Sequence, residues 1–152
     1  MPTQSAGILL YRKTAGKMQF FLVHPGGPFF KNKDLGAWSI PKGEFLDDED
    51  ALAAAKREFE EETGKTIEGD FIELKPVKLK SGKTVHAWAV EGDINHETIT
   101  SNSFEIEWPP KSGKKRSFPE IDRADWFEVE EAKAKINLAQ AGFIDELILR
   151  KN

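Results

Sequence analysis

The chain has 152 residues, enough for one domain with its own core, and no cysteine, which excludes disulfides, thiolate metal sites and cysteine nucleophiles. Three histidines argue against a classical zinc site, and a formal charge of −4 gives no global signal for duplex nucleic acid. No apolar run approaches the roughly 20 residues that cross a bilayer, and MPTQSAGILLYRK lacks the order of a signal peptide; one domain over residues 1–152, cytoplasmic and without a membrane partner, is expected.

Ala6 to Tyr11 reads as a strand, Thr14-Ala15-Gly16 as a turn and Gln19 to Val23 as the returning strand of a hairpin. Pro25, Gly26, Gly27 and Pro28 impose a loop with Phe29 and Phe30 in or just beyond it, and Trp38 to Ile40 forms a short strand before Pro41. Asp50 to Thr63 turns helical, with Asp47 or Asp48 as N-cap and Gly64 as terminator. Ala51, Leu52, Ala55 and Phe59 recur at helical spacing and face the core. Phe71 to Val77 and Val85 to Val90 read as strands around a polar turn, Lys80 to Thr84. Asn95 to Asn102 is irregular, Phe104 to Trp108 alternates like a strand, and Pro109 to Lys115 is a basic loop. Asp125 to Val129 is the last strand, followed by helices over Glu130 to Ile136 and Ala141 to Arg150. The mixture predicts an α/β or α+β layered domain without repeats or linkers.

The chemistry concentrates in GEFLDDEDALAAAKREFEEETG, Gly43 to Gly64. Glu58, Glu61 and Glu62 stand at i, i+3, i+4 and project from one helix face. At about 100° per residue that face adjoins the apolar stripe, so the carboxylates sit at the core's edge. Like charges held together raise one another's pKa unless something neutralises them, and a hard divalent cation with oxygen ligands does so. The small side chains Ala53, Ala54 and Ala55 leave the adjoining surface low, with room for a ligand. Arg57, one turn before Glu61, pairs with it and fixes its orientation. In the preceding Pro41-Lys42-Gly43 loop, Gly43 permits a backbone shape other residues resist and a bare carbonyl that adds a ligand. The plain alternative is a solvated acidic face with ordinary surface pairs.

Gly43, five residues, Glu49, seven residues, then Arg57-Glu58-Phe59-Glu60-Glu61-Glu62-Thr63-Gly64 resembles the Nudix box, G-x5-E-x7-R-E-U-x-E-E-x-G-U, with U a bulky apolar residue. Every fixed polar and glycine position is filled; Lys65 departs at the last U, with Ile67 nearby, and Glu44 and Leu46 differ from the commonest loop filling. SAGILLYR, FFLVHPGGPFF, AWSIPKGE and FPEIDRADWF are similar to the family's segments flanking the box. The resemblance implies an α/β Nudix fold, a mixed sheet sandwiched between helices.

It also implies roles. Glu58, Glu61 and Glu62 hold Mg²⁺, with Mn²⁺ as the substitute, and Glu49 supports the loop or reaches the metal through water. The activity implied is water attack on phosphorus in a phosphoanhydride. Glu61 is the first candidate for the base and Glu120, in FPEIDRADWF, the second. Arg12 and Lys42 are candidate phosphate partners, and Trp38, Phe29, Phe30, Trp88 and Trp108 include candidate stacking surfaces. Lys111, Lys114, Lys115 and Arg116 either clasp further phosphates or form a solvated loop. His24 and His86 pack or hydrogen-bond. The expected substrate is a nucleoside polyphosphate, NTP or dinucleoside polyphosphate; WSIPKG is reminiscent of enzymes that split dinucleoside polyphosphates or inositol pyrophosphates. The alternatives are removal of pyrophosphate from an RNA 5′ end and a non-catalytic nucleotide-sensing domain, in each case as monomer or homodimer.

Overall fold

The computed structural model of the chain describes residues 3–151. Strands β1 (Gln4–Thr14) and β2 (Lys17–Pro25) form a hairpin. Its turn residues Ala15 and Gly16 both take positive φ, 53° and 80°, the combination whose twist matches the flanking strands. There follow β3 (Lys42–Glu44), helix α1 (Ala51–Thr63), β4 (Ile72–Glu73), β5 (Val77–Lys78) and β6 (Thr84–Glu91). Then come β7 (Ser103–Glu107), β8 (Lys115–Pro119), β9 (Ile121–Glu128), α2 (Val129–Lys135) and α3 (Ala141–Lys151).

The main sheet runs β4-β6-β1-β2-β9, with β5 also on β6 and β3 also on β1. β1 and β6 are parallel and the other pairings antiparallel, so the sheet is mixed. Leu9 and Tyr11 enter the core layer shared with Ala132, Phe143, Ile144 and Leu147 of α2 and α3. Ala6, Ile8 and Leu10 enter the opposite layer with Ala54, Ala55 and Phe59 of α1. A strand buried on both faces reads as a continuous apolar run, which is why β1 has no alternation. The result is the expected α/β sandwich. No helix of the described residues is long and apolar enough to cross a membrane.

The edge of β1 opposite β6 is shared by two partners. β2 pairs with its second half, Tyr11 opposite Phe20, and β3 with its first, Gly7 opposite Lys42. Segment 39–44 thus wedges between β1 and β2, held by Ile8 N–H on the Pro41 carbonyl and by reciprocal bonds between Val23 and Ser39. A Cβ on Gly7 would stand 2.5 Å from the Pro41 oxygen, so the wedge fits only against glycine.

Several expectations shift. The α1 N-cap is Asp50, whose carboxylate accepts from Ala53 N–H at 2.9 Å, not Asp47 or Asp48. Leu52 is half-buried at the core's margin rather than in it, and Ala54 and Ala55 are wholly buried, so two of the three alanines make core contact instead of ligand room. Trp38 and Ser39 make isolated bridges rather than a strand. Phe71–Val77 breaks into two short pieces around Pro76, which cannot donate to a ladder. The basic loop ends early because Lys115 opens β8, which pairs only with β7. β9 begins at Ile121, and Val129 belongs to α2.

Candidate active site

Burial of Ala55 and Phe59 against the sheet fixes the rotation of α1, and Asp50 and Gly64 fix its ends. Gly64, at φ 75°, returns its N–H to the Glu60 carbonyl. Glu58, Glu61 and Glu62 therefore reach the rim where the helix meets the wedge. The Glu58 side chain is 13% exposed and that of Glu61 42%. Glu62 turns toward β3 and accepts from Lys42 N–H at 3.3 Å.

Gly43 lies directly beneath Glu58. A Cβ there would stand 1.9 Å from Glu58 Oε1 and 2.1 Å from its carboxyl carbon. The residue is not among those with positive φ. The site requires glycine for room, not for the unusual backbone shape anticipated from the sequence.

Arg57 ties the rim together differently from the predicted pair. Its guanidinium donates to Glu58 at 2.8 Å and to Glu49 at 3.2 Å, with Glu61 the longest contact at 3.5 Å. Glu49 also accepts from Leu46 N–H at 3.3 Å, so it braces the loop. Burial, then the neighbouring Glu61 charge, raises the Glu58 pKa, with Arg57 opposing both. Burial pushes Glu62 up to about 8; the Lys42 N–H opposes the shift, while the Glu58 and Glu120 charges add to it. Burial lowers the Lys42 pKa against the attraction of Glu62.

Among the described residues no three acidic or histidine groups are arranged as a ready-formed metal cage. The carboxylates are gathered but not closed on one point: Arg57 draws Glu58 and Glu61, and Lys42 draws Glu62. The donor chemistry fits a hard divalent cation nonetheless. It is all oxygen, it carries more negative charge than Arg57 and Lys42 offset, and its most buried carboxylate is held near neutrality without a cation.

Glu120 joins this group. Although 58 positions beyond Glu62 in sequence, it lines a hollow of about 160 Å³ with Glu62, Lys42, Pro25 and Ile121. Its carbonyl accepts from Gly26 N–H and its N–H donates to the Asn102 carbonyl, both at 2.8 Å.

Other candidates stand elsewhere. Arg12 lies five positions along β1 from Gly7, about 17 Å at 3.3 Å per residue. It donates to Asp93 at 2.7 Å and Gln19 at 2.8 Å, and lies 4.1 Å over the Trp126 ring. The structure does not bring it to the carboxylates. Trp38, 4% exposed, packs edge-on against His24 and Phe127 and donates its indole N–H to Asp34, so it offers no open stacking face. Trp88 is core. His86 bonds Gln4.

Sequence reasoning missed the role of Asp122. His24, fully buried, places Nδ1 2.7 Å from the Asp122 carboxylate and Nε2 2.7 Å from the Lys33 carbonyl. A neutral ring donates to one such acceptor and a doubly protonated ring to both. Either way the contact joins the end of β2, the loop after it and β9 behind Glu120. A larger hollow, about 680 Å³, lies along β9 beside Asp34, Arg123 and Lys135, and none of the box carboxylates lines it.

The family model for the NUDIX domain matches residues 1–147. A bis(5′-nucleosyl)-tetraphosphatase (asymmetrical) of Caenorhabditis elegans is 38% identical over 68 residues, 45% of this chain and 45% of that relative, so the match spans under half of its length. In structure, the chain is similar to a C. elegans Ap4A hydrolase in a binary complex, with a TM-score of 0.69, 21% identity and 97% of each chain covered. It is also similar to the NUDIX domain of Shewanella oneidensis NrtR complexed with ADP ribose, with a TM-score of 0.67, 14% identity and 100% and 90% of the two chains covered. At these identities the structural likeness shows the fold.

Proposed function

The chain belongs to the NUDIX domain family, and from that premise we propose that it is a metal-dependent pyrophosphohydrolase cleaving a phosphoanhydride bond of a nucleoside polyphosphate, with a dinucleoside tetraphosphate as the preferred class. One observation carries the activity: Glu58, Glu61 and Glu62 share one helix rim beside the wedge, with the Glu58 carboxylate seated over Gly43 where no Cβ fits and Glu62 on Lys42 N–H. The preference for a dinucleoside substrate is supported by the likeness to the C. elegans tetraphosphatase.

Glu58, Glu61 and Glu62, with the Gly43 carbonyl beside them, would hold Mg²⁺ or Mn²⁺. Such an ion supplies positive charge that steadies the phosphoryl oxygens and acidifies the attacking water. Lys42 adds positive charge at the wall of the hollow it shares with Glu62 and Glu120. Water adds to phosphorus, the anhydride P–O bond breaks, and the water proton passes to a carboxylate. Glu61 is the first choice for that base: its side chain is 42% exposed and its contact with Arg57 is the longest of that guanidinium's three, at 3.5 Å. Glu120, on the opposite wall, is the second. Arg57 holds Glu49 and Glu58 in place.

The test is a substrate panel with Mg²⁺ or Mn²⁺, products read by mass: nucleoside triphosphates, dinucleoside polyphosphates, inositol pyrophosphates and triphosphorylated RNA. Cleavage of diadenosine tetraphosphate to unequal products is expected. Inertness toward the whole panel, with nucleotide still bound, would instead identify a sensing domain.

A further inference from the structure

The β7–β8 hairpin takes no part in the main sheet. A two-stranded hairpin is marginal alone, so its composition has to be explained by what holds it and by what it meets. Phe104 and Phe118 stand opposite each other with ring centroids 6.1 Å apart. Phe104 seals against Gly27, where a Cβ would lie 2.8 Å from Cζ. Those contacts hold the arm. They leave Phe29 unexplained: it is 63% exposed and touches the arm edge-on through Trp108, at 5.5 Å and 82°. An exposed aromatic ring is an ordinary surface feature when isolated, but this one has cations beside it.

Register and alternation place Arg116 opposite Ile106 and on the same face as Phe118, over whose ring its guanidinium lies at 5.4 Å. Lys114 falls on that face beside Trp108, whose N–H bonds the Lys114 carbonyl at 2.9 Å. Lys111 occupies the tip and Lys115 the reverse face. All four are exposed and none makes an ion pair among the described residues. Glu107, opposite Lys115 in the register, spends both carboxylate oxygens on Lys111 N–H and Gly113 N–H, closing the turn. A chain of net charge −4 thus carries a local cationic and aromatic arm.

The arm is rooted in the catalytic rim. Glu120 directly follows β8, and Asn102, directly before β7, donates its N–H to the Glu61 carbonyl at 3.2 Å. Four strand steps from Pro119 to Lys115 reach about 13 Å outward, a span suited to a polyphosphate chain leaving the rim with a nucleoside at its far end. We propose that this arm and Phe29 form a distal subsite: Phe29 and Trp108 take the second base of a dinucleoside polyphosphate, and Lys114 and Arg116 take its outer phosphates. The assignment rests on the pyrophosphohydrolase reading for the position of the scissile phosphate. Charge complementarity selects a polyanion, and the paired aromatic rings select one that ends in a base.

The experiment compares wild type with Phe29→Ala and with Lys114→Ala/Arg116→Ala, all at exposed positions and checked for unchanged thermal unfolding. Calorimetry measures binding of non-hydrolysable analogues of diadenosine tetraphosphate and of ATP; kinetics measures cleavage of the natural compounds. Each variant is expected to bind the dinucleoside about tenfold or more weakly and to raise its KM to match, from loss of one stacked base or two phosphate contacts. Affinity and kcat for ATP stay within about twofold of wild type by the same reasoning. Equal losses for both ligands, or none for either, overturn the subsite. A larger loss for triphosphorylated RNA than for the dinucleoside reassigns the arm to RNA and also overturns it. Selective binding without cleavage leaves the subsite standing and overturns the hydrolase reading alone.

Discussion

The carboxylate rim and the β7–β8 arm meet at Glu120, the residue after β8, and are built on opposite principles. The rim rests on fully buried Ala54, Ala55 and Phe59 and on a wedge locked between two strands, so its carboxylates are positioned by the core. The arm has exposed faces and few attachments, at Gly27, Phe29 and its own root. Groups that must hold reacting atoms need rigid support, whereas groups that discriminate between substrates gain from standing where length and sequence can vary.

The largest effect should come from the rim. Glu61→Gln and Glu62→Gln are each expected to lower turnover on the order of 100-fold or more, with the fold intact, because each removes a carboxylate that would hold the cation offsetting phosphoryl charge. Near-native turnover in both, on a substrate the wild type cleaves, would break the division between rim and arm.

Two glycines sharpen it. Gly43→Ala pushes a methyl group into the end of a flexible carboxylate, so turnover should fall about tenfold or more while stability changes by less than about 1 kcal/mol. Gly26→Ala meets backbone instead, 2.0 Å from the Pro119 carbonyl at the arm's root, so it should cost about 2 kcal/mol or more of stability. Kinetics and denaturant unfolding of both variants check the contrast; the same profile for each would erase it.

The pH response is smaller. The folded-state pKa of Glu62 is raised, to about 8. Folding then favours the protonated form, and its contribution is fully present below the unfolded value, near 4.5, and lost as pH rises through 8. In chelator the melting temperature should therefore decline between pH 5 and 8. The decline should shrink with added Mg²⁺ and in Glu62→Gln; an unchanged slope in that variant would remove Glu62 as its cause.

The smallest effect belongs to the loop joining the two regions. Lys135 and the Trp38 indole N–H both donate to Asp34 and lower its pKa. That stability is present above about pH 3.8 and lost as pH falls through the lower folded value. Since Asp34 is half-exposed, Asp34→Asn should blunt acid unfolding only slightly, measured as the acid midpoint by circular dichroism.

Much of the rim was legible in sequence, because helical spacing alone brings Glu58, Glu61 and Glu62 to one edge and the box spacing adds Gly43, Glu49 and Arg57. What spacing conceals is which partner wins. Arg57 lies one turn from Glu61 yet bonds Glu58 and, across the loop, Glu49 more closely. Asp47 and Asp48 had the chemistry of an N-cap; Asp50 had the reach. β8 was hidden because Lys115, Arg116 and Ser117 are all exposed, so no apolar alternation marks it. The start of β9 was masked by Asp122 and Arg123, which suit an open sheet edge as well as a turn. Gly43 was identified for the wrong reason, since sequence cannot tell a glycine kept for torsion from one kept for space.

The division of one strand's edge between two partners constrains how this protein can change. Because side chains alternate along a strand, dropping or adding a single residue between Ser39 and Gly43 would invert the wedge, presenting a side chain to Glu58 where only hydrogen fits. Length variation should therefore be silent at the β1–β2 hairpin tip and abolish activity within two residues either side of Pro41, a pattern a scan of single-residue deletions would expose directly.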